Sequence, residues 1–165
     1  MSEVEWRALP GYEGLYEVSS DGAVRSLERL SIRGVRVKAR VMRLQPNPRG
    51  GHLQVDLHDR EGKRWNAKVH QLVMLAFVGP CPSGLEVLHG DGIPANNRLS
   101  NLSYGTKSQN KLDQVRHGTD PNASKTHCIR GHEFTEENTL VRYGQWRECR
   151  KCKASWYARN KKVAA

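Results

Sequence analysis

Apolar and polar residues alternate over short distances in the first part of the chain, which predicts β-strands separated by tight turns. Glycines and an Asp-Gly pair interrupt the apolar runs of residues 4–65, as expected of a β-rich region. Within it, residues 35–42 alternate valine or alanine with basic residues, which predicts a half-buried strand with one cationic face. Residues 52–57 and 64–70 lie on either side of a polar turn and are expected to form a hairpin.

The pattern changes to longer elements after the hairpin. The apolar run at residues 71–78 predicts a helix that ends at Gly79-Pro80. Residues 85–89 and 102–106 are expected to form two strands joined by a long polar loop, and residues 107–117 a second helix. The predicted order in this part of the chain is therefore strand, loop, strand, helix.

The charge of the chain indicates a polyanionic partner. Lys and Arg number 27 against 17 Asp and Glu, so the formal net charge is +10 over 165 residues, a length that suits one ordinary domain or two small ones. The bases concentrate at residues 31–44 and 147–162, interleaved with valine or aromatic residues, as suits contacts with phosphates. The apolar runs are too short for a membrane span, and the acidic, polar start predicts a soluble protein without a signal peptide.

Three of the four cysteines form a metal-ligand pattern with a histidine. Three residues separate Cys128 from His132, two separate Cys149 from Cys152, and sixteen lie between the pairs. Thiolate and imidazole donors favour Zn2+, and four protein ligands leave no position open, so the predicted zinc is structural. His127 is an alternative ligand, although the glycine before His132 favours His132. Reduced, buried cysteines beside a surface histidine are the alternative interpretation.

One histidine and two asparagines lie in the predicted strand–loop–strand–helix unit. His89 ends the first strand, Asn101 precedes the second, and Asn110 lies in the helix. A neutral histidine is a suitable base near pH 7 and an asparagine oxygen is a suitable Mg2+ ligand, so this set fits phosphodiester hydrolysis. Asn101 is expected to pin the loop by hydrogen bonds. The alternative for His89 is a packing role.

These residues resemble a known family. Residues 68–79, 85–106 and 107–110 together resemble the HNH endonucleases of phages and their hosts. Residues 5–27 resemble the modular motif that precedes HNH domains in phage homing endonucleases, and residues 117–152 are similar to a zinc-binding tail found on many such proteins. The resemblance implies an α+β fold with a β-rich N-terminal region, a ββα-metal core and a small C-terminal zinc-binding module.

The resemblance also implies roles and partners. His89 takes the place of the general base, Asn101 that of the structural middle residue, and Asn110 that of a ligand to one catalytic Mg2+ or Mn2+. The implied protein is a phage-encoded monomer that nicks or cuts double-stranded DNA in the cytoplasm of a bacterial host. The implied boundaries are 1–65 for the DNA-contacting N-terminal motif, 66–117 for the HNH core, 118–126 for a linker and 127–165 for the zinc module.

The chain departs from the family at Leu88, where many members have an aspartate that binds the metal. Either Asp91 supplies the missing oxygen, or water fills the position, or metal binding is weakened. A catalytically inert, sequence-specific DNA-binding protein is therefore the alternative function. A zinc-stabilised module that binds protein or RNA is the third hypothesis.

Basic side chains outside the core are expected to contact DNA phosphates. The alternative for those near the N-terminus is a solvated sheet face, and His70 is given no chemical role. The predicted DNA-binding residues are Arg36, Lys38, Arg40, Lys153, Arg159 and Lys161.

Overall fold

The computed structural model describes residues 3–48, 50–142 and 146–160. The chain divides into two units, Met1–His117 and Gly118–Ala165. Short antiparallel sheets and helices make up the described residues, which confirms the predicted α+β class. Among these residues, no helix has the length and apolar character needed to cross a bilayer.

The N-terminal part of the first unit is built from short strands. They are β1 (Trp6–Ala8), β2 (Tyr16–Ser19), β3 (Val24–Ser26), β4 (Arg29–Leu30), β5 (Arg36–Val37), β6 (Arg40–Val41), β7 (Gln45–Pro46), β8 (Leu53–His58) and β9 (Arg64–Lys68). One sheet has the order β1-β2-β3-β6, a second pairs β4 with β5, and a third has the order β7-β8-β9. The antiparallel pair β8–β9 is the predicted hairpin.

The prediction of one continuous strand over residues 35–42 is wrong. The segment breaks into β5, which pairs with β4, and β6, which pairs with β3. Strands β3 and β4 belong to different sheets. Because β5 pairs with β4 and β6 pairs with β3, residues 35–42 pass from one sheet to the other. Val35 and Val41 are 63% and 65% exposed, so the apolar positions of this segment do not form a buried face.

Helix α1 (Val69–Phe77) follows β9 directly and contributes four residues to the buried core, namely Val69, Leu72, Val73 and Met74. Val69, Leu72 and Val73 are almost fully buried and form the i, i+3, i+4 stripe of a helix that packs by one face. The helix ends at Phe77, just before the predicted stop at Gly79, whose φ is +115° and whose N–H donates to the Met74 carbonyl over 3.0 Å.

The rest of the first unit has the predicted order. Strand β10 (Leu85–His89) pairs antiparallel with β11 (Leu102–Thr106), so that His89 lies opposite Leu102. Helix α2 (Lys107–Arg116) starts at Thr106, whose hydroxyl accepts from the Gln109 N–H while the Gln109 side chain accepts from the Thr106 N–H.

The loop between β10 and β11 is fixed against the N-terminal sheet. The Leu99 N–H donates to the Ser20 carbonyl over 2.8 Å. Gly22, with φ of +91°, lies so close to Asn97 that a Cβ on it would be 2.9 Å from the Asn97 Cβ and 3.0 Å from the Asn97 carbonyl oxygen. Glycine is therefore needed at this turn both for its backbone conformation and for the close approach.

The second unit is a hairpin followed by a helix. Strand β12 (Thr139–Arg142) pairs antiparallel with β13 (Trp146–Cys149), and helix α3 (Arg150–Asn160) follows. Cys149 thus ends the strand and Cys152 lies in the first turn of the helix.

We expect Gly22→Ala to lower the free energy of unfolding by about 1–3 kcal/mol more than Gly11→Ala, because the added methyl group would overlap Asn97. Gly11 is the matched control, since its φ is +80° and, apart from its own chain neighbours, no atom of the described residues lies within 4 Å of the point that a Cβ on it would occupy. Chemical denaturation of both variants measures the difference. Equal losses would show that only the backbone conformation matters at Gly22.

Candidate functional site

His89, the predicted base, lies among two other imidazoles. Its ring centroid is 5.4 Å from that of His52 and 5.0 Å from that of His70, while His52 and His70 are 4.7 Å apart. Its Nε2 is 3.4 Å from the Asn97 Oδ1. The three histidines are called the histidine cluster below. The sequence pattern did not indicate this cluster, because its members lie far apart along the chain.

Burial keeps the histidine cluster neutral. It lowers the pKa of His52, His70 and His89, and that of His70 falls to about 3. For His89, the hydrogen bond to Asn97 and the charge of Asp91 act in the opposite direction but do not outweigh burial. Each ring therefore keeps a nitrogen lone pair at neutral pH, and such a lone pair can accept a proton or bind a metal.

Asn101 ties together the loop that follows His89. Its Oδ1 accepts from the Asp91 N–H over 3.0 Å, and its Nδ2 donates to the Asp91 Oδ1 and the Asn96 carbonyl, both over 2.9 Å. A side chain with these contacts holds both ends of the loop close together.

Asp91 is engaged within the same turn. Its carboxylate accepts from the Ile93 N–H over 2.8 Å and from the Asn96 Nδ2 over 2.6 Å, in addition to Asn101. The Ile93 hydrogen bond is the largest of the effects that lower the Asp91 pKa to about 2. A metal ion that took Asp91 as the substitute for the oxygen missing at Leu88 would thus compete with three hydrogen bonds.

Leu88 and Asn110 have different surroundings from His89. Leu88 is 9% exposed and packs over Gly105, where an added Cβ would overlap the Leu88 Cδ1. The Asn110 Nδ2 donates to the Glu86 Oε1. Glu86 lies two residues before Leu88, hence on the same face of β10, whereas strand alternation places His89 on the other face. Glu86 is a carboxylate that the sequence pattern did not indicate, because its pairing with Asn110 depends on how α2 packs.

The four predicted zinc ligands converge in the second unit. The His132 Nδ1 is 3.6 Å from the Sγ atoms of Cys128 and Cys149 and 3.3 Å from that of Cys152, and the Cys128 and Cys152 sulfurs are 3.6 Å apart. Tetrahedral zinc with Zn–S bonds of about 2.3 Å needs ligand separations of about 3.5–3.8 Å. The donor set and its spacing therefore fit a zinc ion. His127 hydrogen-bonds instead to the Thr126 hydroxyl over 2.9 Å.

The predicted DNA-binding side chains differ in their contacts. Lys38 and Arg40 are exposed, while Arg36 forms a 2.6 Å ion pair with Glu28. In the second unit, the Lys153 Nζ is 3.3 Å from the Glu148 carboxylate and Arg159 is exposed on α3. Exposed ion pairs are weak, so pairing does not prevent Arg36 or Lys153 from binding a phosphate. Lys161 lies outside the described residues.

Two family models match the chain. The HNH endonuclease model matches residues 67–112, which include α1, β10, β11 and the start of α2 with His89, Asn101 and Asn110. The NUMOD4 motif matches residues 5–58. Residues 67–112 therefore match the HNH endonuclease family, which confirms the resemblance.

Individual relatives are consistent with this family. DNA endonuclease I-HmuI of Bacillus phage SP01 is 34% identical over 126 residues, which are 76% of this chain and 66% of the phage protein. An uncharacterized HNH endonuclease of Acanthamoeba polyphaga mimivirus is 31% identical over 121 residues, which are 71% of this chain and 26% of that protein. The chain thus spans just under two thirds of the first relative and about a quarter of the second.

A solved structure has a similar fold. It is a structure of the HNH homing endonuclease I-HmuI from work on DNA binding and cleavage by that protein. This chain superposes on it with a TM-score of 0.57 at 34% sequence identity. The superposition covers 70% of this chain and 60% of that one. The similarity in fold therefore accompanies the similarity in sequence.

We expect His132→Ala to lower the zinc content by one ion per chain, since it removes a donor whose nitrogen lies within 3.6 Å of three sulfurs. His127→Ala is the matched control and should leave the zinc content unchanged. Elemental analysis after dialysis against a mild chelator measures both. A loss of zinc in His127→Ala alone would assign the fourth ligand to His127.

Proposed function

We propose that the chain is a divalent-metal-dependent DNA endonuclease of the phage homing type, which hydrolyses phosphodiester bonds of double-stranded DNA. The observation on which this depends is that the HNH match at residues 67–112 coincides with a folded unit that holds His89 at the end of β10. Further support is that the similar I-HmuI is described as an enzyme that binds and cleaves DNA. We place its action as a monomer in the cytoplasm of a bacterial host.

In this proposal His89 is the general base. Its pKa lies below the ordinary value of 6.5 because of burial, so at neutral pH the ring can take a proton from an attacking water. Asn97, whose Oδ1 is 3.4 Å from the His89 Nε2, orients the ring. Asn101 and Asp91 position the loop on which Asn97 lies through their mutual hydrogen bonds.

We assign Asn110 as the residue that would hold the divalent ion, because an amide oxygen is a hard donor of the kind that Mg2+ and Mn2+ prefer. The Glu86 carboxylate accepts from the Asn110 Nδ2 and would orient that side chain. A bound ion would supply positive charge at the scissile phosphate and the departing 3′ oxygen. Attack of water on phosphorus would break the bond to the 3′ oxygen and leave 5′-phosphate and 3′-hydroxyl ends. Leu88 offers no oxygen, and we infer weaker ion binding than in relatives with aspartate there.

DNA binding is assigned to the basic side chains on both units. Lys38 and Arg40 are exposed near β6, and Lys153 and Arg159 lie on α3, which starts directly after a zinc ligand. The zinc would fix the start of α3 and hence the positions of its bases. Arg36 and Lys161 are assigned the same role, the former on the basis of its exposed guanidinium.

The second candidate is an inert DNA-binding protein on the same scaffold. The burial of Leu88 against Gly105 favours it, because the position where relatives have a metal ligand here belongs to the packing of β10 on β11. This candidate differs from the first only in cleavage, and both require affinity for DNA that falls with salt.

We expect the zinc-loaded protein to nick or linearise supercoiled plasmid in Mg2+ or Mn2+. His89→Ala should cleave about 100- to 10,000-fold more slowly, the usual loss for a general base. His58→Ala, an exposed histidine on β8, is the matched control and should cleave normally. EDTA should abolish cleavage.

Cleavage that survives His89→Ala would contradict the assignment of the base. Tight, salt-dependent binding without cleavage, also with DNA that flanks the gene as substrate, would establish the inert alternative.

We expect the single-turnover cleavage rate to be constant above pH 6.5 and to fall by about tenfold per pH unit in acid, because protonation removes the His89 lone pair. The rate is expected to fall in acid and not in base because burial lowers the His89 pKa below 6.5. The neutral form of His89 therefore dominates from pH 6.5 upwards. Rates measured from pH 5 to 9 at saturating Mg2+ test this. A rate that rises steeply between pH 7 and 9 would mean that another group limits the reaction.

A further inference from the structure

We propose that His52, His70 and His89 form a second metal site, which binds a divalent transition-metal ion such as Zn2+. One ligand nitrogen from each residue lies within 4.8 Å of the corresponding atoms of the other two. The site is separate from the cysteine-rich cluster of the second unit, and it does not include Asn110 or Glu86.

The three imidazoles come from three elements that pack together in the first unit. His52 immediately precedes β8, His70 is in the first turn of α1, and His89 ends β10. Because each is anchored at the end of a strand or in a helix, the ligand atoms are held close together before any ion binds. Such preorganisation by rigid elements is what a metal site requires.

Two ring nitrogens in the cluster lack the hydrogen bonds that burial ordinarily demands. His70 is 4% exposed, and its Nδ1, like the Nδ1 of His52, has no hydrogen-bond partner among the described residues. A buried polar atom left unpaired costs about 1–3 kcal/mol. A metal ion would satisfy several of the imidazoles at once.

The other contacts of the rings are those of metal-binding histidines. The Pro94 backbone acts to raise the pKa of the His52 ring, and the His89 Nε2 is 3.4 Å from the Asn97 Oδ1. In known metal sites, such outer hydrogen bonds fix the orientation of the ring and leave its second nitrogen for the ion.

The donor chemistry selects the type of metal. Imidazoles bind Zn2+, Ni2+ or Cu2+, whereas Mg2+ prefers oxygen donors. Zn–N bonds of about 2.0–2.1 Å require nitrogens about 3.3 Å apart, so ligands within 4.8 Å must approach by about 1.5 Å at most, which ring rotations allow. Three protein ligands leave one position for water. The charge of Asp91 favours a cation near His89, while Lys68 opposes it near His52 and His70.

The site has one consequence that rests on the proposed function. Metal bound to His89 would occupy the lone pair that a base needs, so occupancy of this site and base catalysis by His89 exclude each other. Metal binding itself is independent of cleavage, so metal content and spectra report on this site whether or not the chain cleaves DNA.

Zinc content of the full chain tests the site. Protein stripped with chelator is reloaded with Zn2+, desalted and measured by elemental analysis and native mass spectrometry. We expect two ions per chain in the wild type, one in His52→Gln and two in His58→Gln. His52 is half-buried and glutamine keeps a polar side chain, so the variant should fold; His58 is the exposed histidine at the other end of β8. A wild-type content of one ion, or two ions in His52→Gln, would overturn the proposal.

Cobalt provides a second readout on the unaltered chain. We expect one Co2+ equivalent to produce thiolate-to-cobalt charge-transfer absorption from the cysteine site, and a further equivalent to add only d–d absorption typical of nitrogen ligands. The nitrogen-type signal should be absent in His70→Asn. Its persistence there, or a second equivalent that adds only thiolate bands, would show that the histidine cluster binds no metal.

Discussion

Burial of the apolar face of α1 is the interaction on which the first unit depends. Leu72 and Val73 pack in one continuous core with Val18 and Val24 of the N-terminal sheet and with Leu102 of β11. A helix with a single apolar stripe is stable only when other layers cover that stripe, and here both the N-terminal sheets and the β10–β11 pair contribute to the cover. The positions of all three clustered histidines follow from this packing.

The parts of the fold that depend on local sequence could be predicted. The hairpin β8–β9, the end of α1 just before Gly79 and the order of β10, β11 and α2 each follow from alternation, glycine and capping residues close together in the chain. The convergence of Cys128, His132, Cys149 and Cys152 is of the same kind, since each pair is only a few residues apart.

The features that depend on tertiary packing could not be predicted. The break between β5 and β6 arises because their partners belong to different sheets, and alternation within residues 35–42 contains no information about those partners. The contact between Asn110 and Glu86 depends on how α2 lies against β10. The departure at Leu88 was visible in the sequence, but its packing over Gly105 was not.

The shared core has a consequence for how such proteins recombine. The NUMOD4 match ends at residue 58 and the HNH match begins at residue 67, so the seam between the motifs falls within the hairpin β8–β9. An exchange of modules at this seam would pair β9 with a strand from another protein in place of β8. It would also pack Leu72 against the sheet of that other protein. His52 on one side of the seam would also lose His89 on the other. The two motifs are separate along the sequence but share one hydrophobic core.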